Sequence, residues 1–103
     1  MKVVWDPKAV NARNQIANYI RQEFGAKRKI RFLQEVRETT KKLSNAPYIG
    51  QIDPLFGGRP QTYRSIIVHG LNKIVYRIEG KTIHIVAFWD TRSEPERQAD
   101  IVK

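Results

Sequence analysis

The spacing of hydrophobic residues changes once along this chain, near Tyr63, and that change restricts the folds that are open to it. Before Tyr63, apolar residues recur at three- and four-residue steps, which is the period of an amphipathic helix. After it they alternate with other residues, which is the period of a strand. Helical and strand segments grouped in this way predict an α+β fold. The 103 residues suffice for one domain, which we assign to residues 1–103.

Two helices are predicted before residue 46. The first begins at Asp6-Pro7, where an N-cap oxygen precedes proline at the first helical position. Gly25 suits a left-handed cap at its end. The second has an apolar face made of Ile30, Leu33, Val36, Thr40 and Leu43. Because the break between the two helices is so short, we expect an antiparallel helix hairpin.

The remaining segments predict a small, mostly antiparallel sheet. A strand at residues 2–5 precedes the hairpin, and prolines and glycines make residues 44–62 an irregular loop. Three alternating segments follow, at 63–69, 73–78 and 82–89. Short glycine-containing turns join them, as in β-hairpins. We therefore predict a three-stranded antiparallel meander, followed by a short C-terminal helix that starts near Pro95.

The last strand of this meander is apolar on both faces. By alternation, Ile85, Ala87 and Trp89 share one face. Val86 and Phe88 share the other. Such a strand is central and covered on both sides, or one of its faces receives a bound peptide or a second copy.

The chain is strongly basic, and the excess is concentrated in its first half. Nineteen Lys and Arg against ten Asp and Glu give a net charge of +9. Residues 1–50 contain 11 basic and 4 acidic side chains. An excess of this size predicts a polyanionic partner, which is nucleic acid, an acidic protein or an anionic surface. The alternative is a solvated basic face that maintains solubility.

Several function classes are disfavoured by what the sequence lacks. Cysteine is absent, which excludes disulfides, thiol catalysis and cysteine-ligated zinc. His69 and His84 have no carboxylate at ligand spacing, and residues 56–59 lack the Lys-Ser/Thr of a phosphate-binding loop. We therefore expect no metal and no cofactor. No apolar run is long enough to span a membrane, and the N-terminus lacks the apolar core of a signal peptide, so we expect a cytoplasmic protein.

Arginines near the strand ends suggest a site for an anion. Arg64 lies at the start of the meander, Arg77 in its middle strand, and Arg92 directly after its last strand. Adjacent strands lie about 4.8 Å apart, so these guanidinium groups can converge on one phosphate. Such a cluster stabilises the extra negative charge that forms during RNA cleavage. Alternatively, Arg92 pairs with Asp90 or Glu94 and holds the C-terminal turn.

RNA cleavage without a metal also requires a proton acceptor and a proton donor. The candidates in the sheet are His69, His84, Tyr63 and Tyr76. His84 lies within an apolar strand, and Tyr63 points away from Arg64 by strand alternation. A complete acid–base pair is therefore not evident from the sequence.

Four segments follow the first strand and the helix hairpin in a particular order. They are Pro-Tyr-Ile-Gly at 47–50, Tyr-Arg-Ser-Ile-Ile-Val at 63–68, Ile-Val-Tyr-Arg-Ile-Glu-Gly at 74–80, and Ile-His-Ile-Val-Ala-Phe-Trp-Asp-Thr-Arg at 83–92. Together they resemble the RelE/ParE superfamily, the toxins of bacterial type II toxin–antitoxin modules, over nearly the whole chain. The resemblance implies a RelE/ParE-like fold and a toxin that arrests growth when free and serves plasmid stabilisation. It also implies a cognate antitoxin that neutralises the toxin in a hetero-oligomer.

The resemblance implies one of two targets, because RelE-like members cut mRNA on the ribosome without a metal and ParE-like members poison DNA gyrase. For an mRNA endoribonuclease, Arg64 and Arg92 match the catalytic arginines of the family. His84 or Tyr76 would then supply proton transfer. Arg59 and Arg77 would contact the nucleic acid.

The chain departs from the nuclease pattern at two places. Those nucleases carry a pair of lysines before the strand arginine, and here Leu55 and Gly57 stand at about those positions. They also carry a C-terminal tyrosine, which is missing here because its position falls near Gln98. These departures favour the gyrase target. The alternative to a toxin is a non-enzymatic, basic nucleic-acid-binding module that uses the helix hairpin and binds with a steep salt dependence.

Overall fold

Seven helices and strands, arranged as an α+β fold, make up residues 1–91, the part of the chain that the computed structural model describes. They are β1 (Lys2–Trp5), α1 (Pro7–Phe24), α2 (Ala26–Asn45), β2 (Gln51–Ile52), β3 (Arg64–Val68), β4 (Asn72–Glu79) and β5 (Thr82–Asp90), with a 3-10 turn at Pro54–Phe56. The predicted fold class, helix hairpin and meander are therefore confirmed. The helix predicted near Pro95 lies outside the described residues.

Local signals in the sequence determine where the helices begin and end. The Asp6 side chain accepts a hydrogen bond from the Lys8 N–H at 3.0 Å, with proline at the first helical position. Gly25 separates α1 from α2 with φ 93° and ψ 171°. This is the extended, positive-φ region that only glycine adopts readily, rather than the left-handed helical cap that was predicted.

The buried face of α2 differs from the predicted one at its N-terminal end. Phe32, Val36 and Leu43 are buried, whereas Ile30 is 56% exposed. Phe32 has no exposed surface and packs edge-on against Phe88 of β5, with ring centroids 5.9 Å apart. Because α2 packs on both α1 and the sheet, its buried face is rotated relative to the stripe that the helical period suggests.

The sheet is mixed, with strand order β1-β5-β4-β3-β2. The meander strands pair antiparallel, and β1 pairs parallel to β5, with Lys2 opposite Thr82 and Trp5 opposite Ile85. The two-residue strand β2 lies within the segment predicted to be irregular and pairs with the start of β3. Strand β5 is therefore an interior strand, flanked by β1 and β4, with α1 and α2 on one face of the sheet.

A β-bulge changes the two faces of β5. The register places Tyr76 opposite Ile85 and Val75 opposite Ala87, so Val86 is an extra residue on β5. Beyond the bulge the alternation is shifted by one residue. The prediction that Ile85 shares a face with Ala87 was therefore wrong, because Ile85 belongs to the core beneath the helices and Ala87 to a second cluster.

This second cluster covers the sheet face opposite the helices. The loop residues Phe56 and Tyr63 pack there against Val75, Ala87 and Trp89. Both faces of β5 are thus covered within the chain, which corresponds to the first of the two predicted alternatives for an apolar strand.

An ion pair holds the same loop against the sheet. The Lys73 Nζ lies 2.8 Å from Asp53 Oδ2, and the Leu55 N–H donates to Asp53 Oδ1 at 3.0 Å. Burial by itself raises the pKa of Asp53, but the hydrogen bonds from Lys73 and Leu55 and the Lys73 charge outweigh it, so the pKa lies below its ordinary value. The loop between β2 and β3 is therefore an ordered part of the fold.

Candidate functional site

A cleft of about 550 Å³ lies where β4 extends past the first residue of β3. Two arginines and an exposed tyrosine are among its walls. Its lining residues are Tyr48, Gln61, Thr62, Arg64, Arg77, Ile78, Glu79 and Gly80. The cleft therefore combines residues from the loop after α2, the loop before β3, and the turn between β4 and β5.

Arg64 is the central cation of this cleft. Its Nη1 donates to the Gly50 carbonyl at 2.9 Å, and the guanidinium carbon lies 5.1 Å from the centre of the Tyr48 ring. Tyr48 itself is 65% exposed. Within residues 1–91 no carboxylate forms an ion pair with Arg64. One carbonyl and one ring face leave most of the guanidinium donors available to an anion.

The position of Arg64 depends on Tyr76, which lies opposite it on β4. The Tyr76 hydroxyl donates to the Pro47 carbonyl at 2.8 Å and accepts from the Gly50 N–H at 2.9 Å. It thereby holds the two ends of the 47–50 segment, which carries both the Tyr48 ring and the carbonyl that Arg64 contacts. Burial raises the pKa of Tyr76, although the Gly50 N–H and the Arg64 charge oppose the shift.

Glycine at position 50 is required by this close approach. A Cβ atom there would lie 2.5 Å from the Tyr76 hydroxyl and 2.9 Å from the Ser65 carbonyl. Neither group can move easily, because Tyr76 is fully buried and the Ser65 carbonyl belongs to β3. The Pro-Tyr-Ile-Gly segment is thus specified by packing at its last residue.

Arg77 also lines the cleft, but its charge is already compensated. Its Nη1 contacts Glu79 Oε2, and His84 Nε2 lies 3.8 Å from the same oxygen. The hydrogen bond from Arg77 and its charge hold the pKa of Glu79 below its ordinary value, so this carboxyl stays ionised. Of the two cleft arginines, Arg64 is therefore the one that is open to a ligand anion.

The predicted site residues are only partly brought together. Arg64 and Arg77 share the cleft, whereas Arg59 does not line it and instead lies 5.1 Å from the ring centre of Phe56, over the second cluster. Arg92 lies outside the described residues. The last described residue, Thr91, donates its N–H to the Leu71 carbonyl, at the end of β4 remote from Arg64.

None of the predicted proton-transfer residues reaches the cleft. Tyr76 has no exposed surface and both of its hydroxyl contacts are to the backbone. His84 does not line the cleft. His69 follows the far end of β3 and contacts Glu35 of α2. Among residues 1–91, the ionisable lining groups besides the two arginines are Glu79, paired with Arg77, and Tyr48.

Sequence reasoning missed Tyr48, Gln61 and Thr62 as cleft residues. All three lie in the segment between α2 and β3, where no period indicates which side chains face one another. The sequence signal at Tyr48 is an aromatic residue within a short Pro-Tyr-Ile-Gly segment, which favours an ordered turn. Gln61 and Thr62 carry no comparable signal.

The arrangement in this cleft is suited to binding an anionic group rather than to transferring protons. An uncompensated guanidinium and an exposed ring offer charge, hydrogen bonds and a stacking surface. Within residues 1–91, no three His, Asp or Glu side chains gather closely enough to hold a metal ion. No helix in that range is both long and apolar enough to cross a membrane.

Comparisons with known proteins agree with this fold. The solved structure described as the chromosomal ParDE TA system from P. aeruginosa superposes with a TM-score of 0.73 at 20% identity, covering 89% of this chain and 97% of that one. A comparison with curated protein sequences found no significant match. A family model for the ParE toxin of the type II toxin–antitoxin system parDE matches residues 3–95. The RelE/ParE resemblance is thereby confirmed, and the chain belongs to the ParE toxin family.

Proposed function

We propose that this protein, a type II toxin by family, acts on DNA gyrase by binding to it, in the cytoplasm, and is neutralised by an antitoxin encoded beside it. The observation that carries the proposal is the composition of the cleft. Arg64 is available to an anionic partner there, and none of the predicted proton-transfer residues His69, His84, Tyr63 and Tyr76 lines the cleft. A toxin that binds its target without cleaving it needs a group that contacts the partner and needs no side chain for proton transfer.

A second function, ribosome-dependent mRNA cleavage, is favoured by one specific observation. An uncompensated guanidinium next to an exposed tyrosine ring suits an RNA phosphate and an adjacent base. A nuclease would also need an acid and a base at the scissile phosphate. Tyr76 is enclosed by the core and cannot reach a substrate, so that role would fall to His84, to Tyr48 or to residues after Thr91.

The two targets are separated by two assays with the purified toxin. In the first, toxin is incubated with gyrase, ATP and supercoiled plasmid, and linear DNA is measured after denaturation. In the second, toxin is incubated with programmed ribosomes, and mRNA ends are mapped. We expect linear DNA in the first assay and intact mRNA in the second. Cleaved mRNA together with intact plasmid would overturn the gyrase assignment.

The role of Arg64 is tested by Arg64→Ala, with Arg21→Ala as the matched control. Arg21 is an exposed arginine in the last turn of α1 and does not line the cleft. Hydrogen bonds to a charged group contribute about 1.5–3 kcal/mol, so Arg64→Ala should weaken the effect on gyrase by roughly 10- to 100-fold. Equal activity of the two variants, both folded by circular dichroism, would exclude Arg64 from the site.

A further inference from the structure

The end of the helix hairpin carries a high density of positive charge. Residues 24–31, which we call the hairpin tip, run from the last residue of α1 into the second turn of α2. They include four basic side chains, Lys27, Arg28, Lys29 and Arg31, and no acidic one. Lys29 is half-buried and the other seven residues are exposed. The tip is therefore a compact cationic surface that lies outside the core.

The charge of the tip is not compensated by neighbouring side chains. Within residues 1–91 no carboxylate forms an ion pair with any of its four cations. The Lys29 Nζ lies 3.4 Å from the neutral Asn18 Oδ1. The Arg28 guanidinium carbon lies 5.1 Å from the centre of the Phe24 ring. Neither contact reduces the net charge, so the tip presents all of its positive charge to a partner.

These cations are placed against the local preference of α2. The first turn of α2 has no acidic residue, and its N-cap, Gly25, supplies no side-chain hydrogen bond. The N-terminal end of a helix carries partial positive charge, so basic residues there destabilise the helix and acidic ones stabilise it. Helix formation therefore does not explain why Lys27, Arg28 and Lys29 stand in this turn, whereas an anionic partner does.

The dimensions of the tip suit the backbone of a nucleic acid. Arg31 follows the first residue of α2, Ala26, by about 7.5 Å along the helix axis. Two packed helices lie about 8–10 Å apart. A stretch of duplex about 10 Å long carries about three phosphates on each strand. The cations of a patch of this size can therefore contact about three phosphates at once, and lysine and arginine commonly supply such contacts.

The apolar residues of the tip argue against two other polyanionic partners. An anionic membrane requires a continuous apolar face that enters the lipid. Phe24 and Ile30 are each 56% exposed, but Arg28 lies over the Phe24 ring, and basic residues flank Ile30 on both sides. A single-stranded nucleic acid requires several exposed rings in series, and Phe24 is the one aromatic residue of the tip. Contact with the backbone of a duplex requires neither feature.

We propose that the hairpin tip binds the phosphate backbone of duplex DNA without reading its sequence. This surface is separate from the cleft, because none of the cleft's lining residues lies within residues 24–31. The inference goes beyond the proposed action on gyrase and does not depend on it, since the contact with DNA is a property of the toxin alone. For a toxin that acts on gyrase, it would add the DNA of the enzyme complex to what the toxin recognises.

Fluorescence anisotropy tests this with the full toxin chain and a labelled DNA duplex. The logarithm of the binding constant falls with the logarithm of salt concentration, with a slope of about −0.9 for each contacted phosphate. For about three contacts we expect a slope of about −3 between about 50 and 200 mM KCl. The double variant Lys27→Glu with Arg28→Glu should bind at least ~10-fold more weakly, with a slope near about −1.

Two features of the variants separate binding from folding and from net charge. Acidic residues in the first turn favour the helix, so the Tm of the tip variant should not fall. Lys27→Gln with Arg28→Gln removes the same charges without reversing them and should change the slope in the same direction.

The matched control reverses two cations at the opposite end of the hairpin. Lys2 and Lys81 are exposed, and the Lys2 N–H donates to the Lys81 carbonyl at 3.3 Å, so they adjoin each other. The Met1 amino group donates to the Ser44 carbonyl, which places this pair about 25 Å from the tip along α2. Lys2→Glu with Lys81→Glu should weaken duplex binding by no more than about threefold, because that distance exceeds the range of charge effects at these salt concentrations.

Weaker duplex binding by the tip variants, with the control unchanged, supports the proposal. Equal weakening by the tip and control variants would show attraction by net charge alone, and no binding at about 50 mM KCl would show that the duplex has no such surface; either result overturns the proposal. Tip-dependent binding of single-stranded RNA or of phosphatidylserine vesicles in preference to the duplex would overturn it as well. Tip-dependent duplex binding by a toxin without effect on gyrase would leave this inference standing and refute the proposed target.

Discussion

The Tyr76 hydroxyl offers the sharpest test of how the cleft is built, because its two hydrogen bonds connect β4 to the loop that positions Arg64. The change Tyr76→Phe retains the ring and its packing, and removes only the donor to Pro47 and the acceptor for the Gly50 N–H. Gly50 is buried, so its N–H has no ready access to water once the acceptor is lost. The Pro47 carbonyl is half-buried and can be hydrated.

The expected loss of stability follows from these two bonds. A typical intramolecular hydrogen bond contributes about 0.5–1.5 kcal/mol net, and a buried donor left without a partner costs about 1–3 kcal/mol. We therefore expect Tyr76→Phe to lower the free energy of unfolding by about 2 kcal/mol. For a domain of this size, that corresponds to a decrease in Tm of roughly 10 °C.

Urea unfolding followed by tryptophan fluorescence measures this loss, with Tyr63→Phe as the control. Tyr63 is also buried, but within residues 1–91 its hydroxyl donates to the Gln61 side chain alone, at 3.1 Å, so that variant should lose no more than about 1 kcal/mol. If the two variants lose the same amount, or if Tyr76→Phe loses less than ~0.5 kcal/mol, the two bonds do not hold the loop as argued.

The pKa of Tyr76 adds a second readout for the same variant. Because burial raises this pKa above the unfolded value, the unfolded chain releases the phenolic proton at a lower pH than the folded protein. Stability from this group is complete below about pH 10 and is lost as the pH rises through the folded pKa. Tyr76→Phe should therefore show a shallower alkaline decline than the parent protein; an identical decline would contradict the assignment.

Two further substitutions, at Gly50 and Asp53, test how the segment between α2 and β3 is held against the sheet. Gly50→Ala would place a Cβ atom 2.5 Å from the Tyr76 hydroxyl, so we expect the free energy of unfolding in urea to fall by about 1–3 kcal/mol. The control is Gly57→Ala, where the nearest atom to the new Cβ lies at 3.3 Å, and its free energy of unfolding should stay within about 1 kcal/mol of the parent value. Similar losses in the two variants would contradict the packing argument. Asp53→Asn leaves Lys73 charged without its partner and should cost roughly 2–3 kcal/mol at neutral pH. Since the pKa of Asp53 is lowered, its stabilisation is present above about pH 4 and is lost as the pH falls through the folded value, so acid titration of the variant should be shallower than that of the parent.

Local chemistry in the sequence was sufficient to predict the two helices and the strands of the meander. Asp6-Pro7 begins α1 and Gly25 ends it, because a capping oxygen, a proline ring and a permitted positive φ act within a few residues. The two-residue period after Tyr63 predicted the meander for a similar reason, since a strand that buries one face must alternate. The resemblance to RelE/ParE toxins is consistent with the order of elements that these patterns predicted, and the family match confirms the resemblance.

Tertiary contacts were needed for everything that depends on which strands meet and in what register. The bulge at Val86 reverses the faces of β5 beyond it, and no local signal marks it because neighbouring residues on both faces are apolar. The burial of Phe32 in place of Ile30 follows from how α2 lies against both α1 and the sheet. A period measured along one segment contains no information about the orientation of its neighbours.

The cleft also combines a residue that the sequence identified with contacts that only the tertiary structure shows. Arg64 was recognisable from its place in the chain, whereas its contacts with Gly50 and Tyr48 depend on a buried hydroxyl 26 residues beyond Gly50. The sequence offers Tyr76 as a catalytic candidate because it does not distinguish an ionisable strand residue that faces solvent from one that faces the core, and Tyr76 is fully buried. Beside the cleft, β4 continues to Glu79 while its pairing with β3 ends at Tyr76, and this difference in strand length is visible only after the strands have paired.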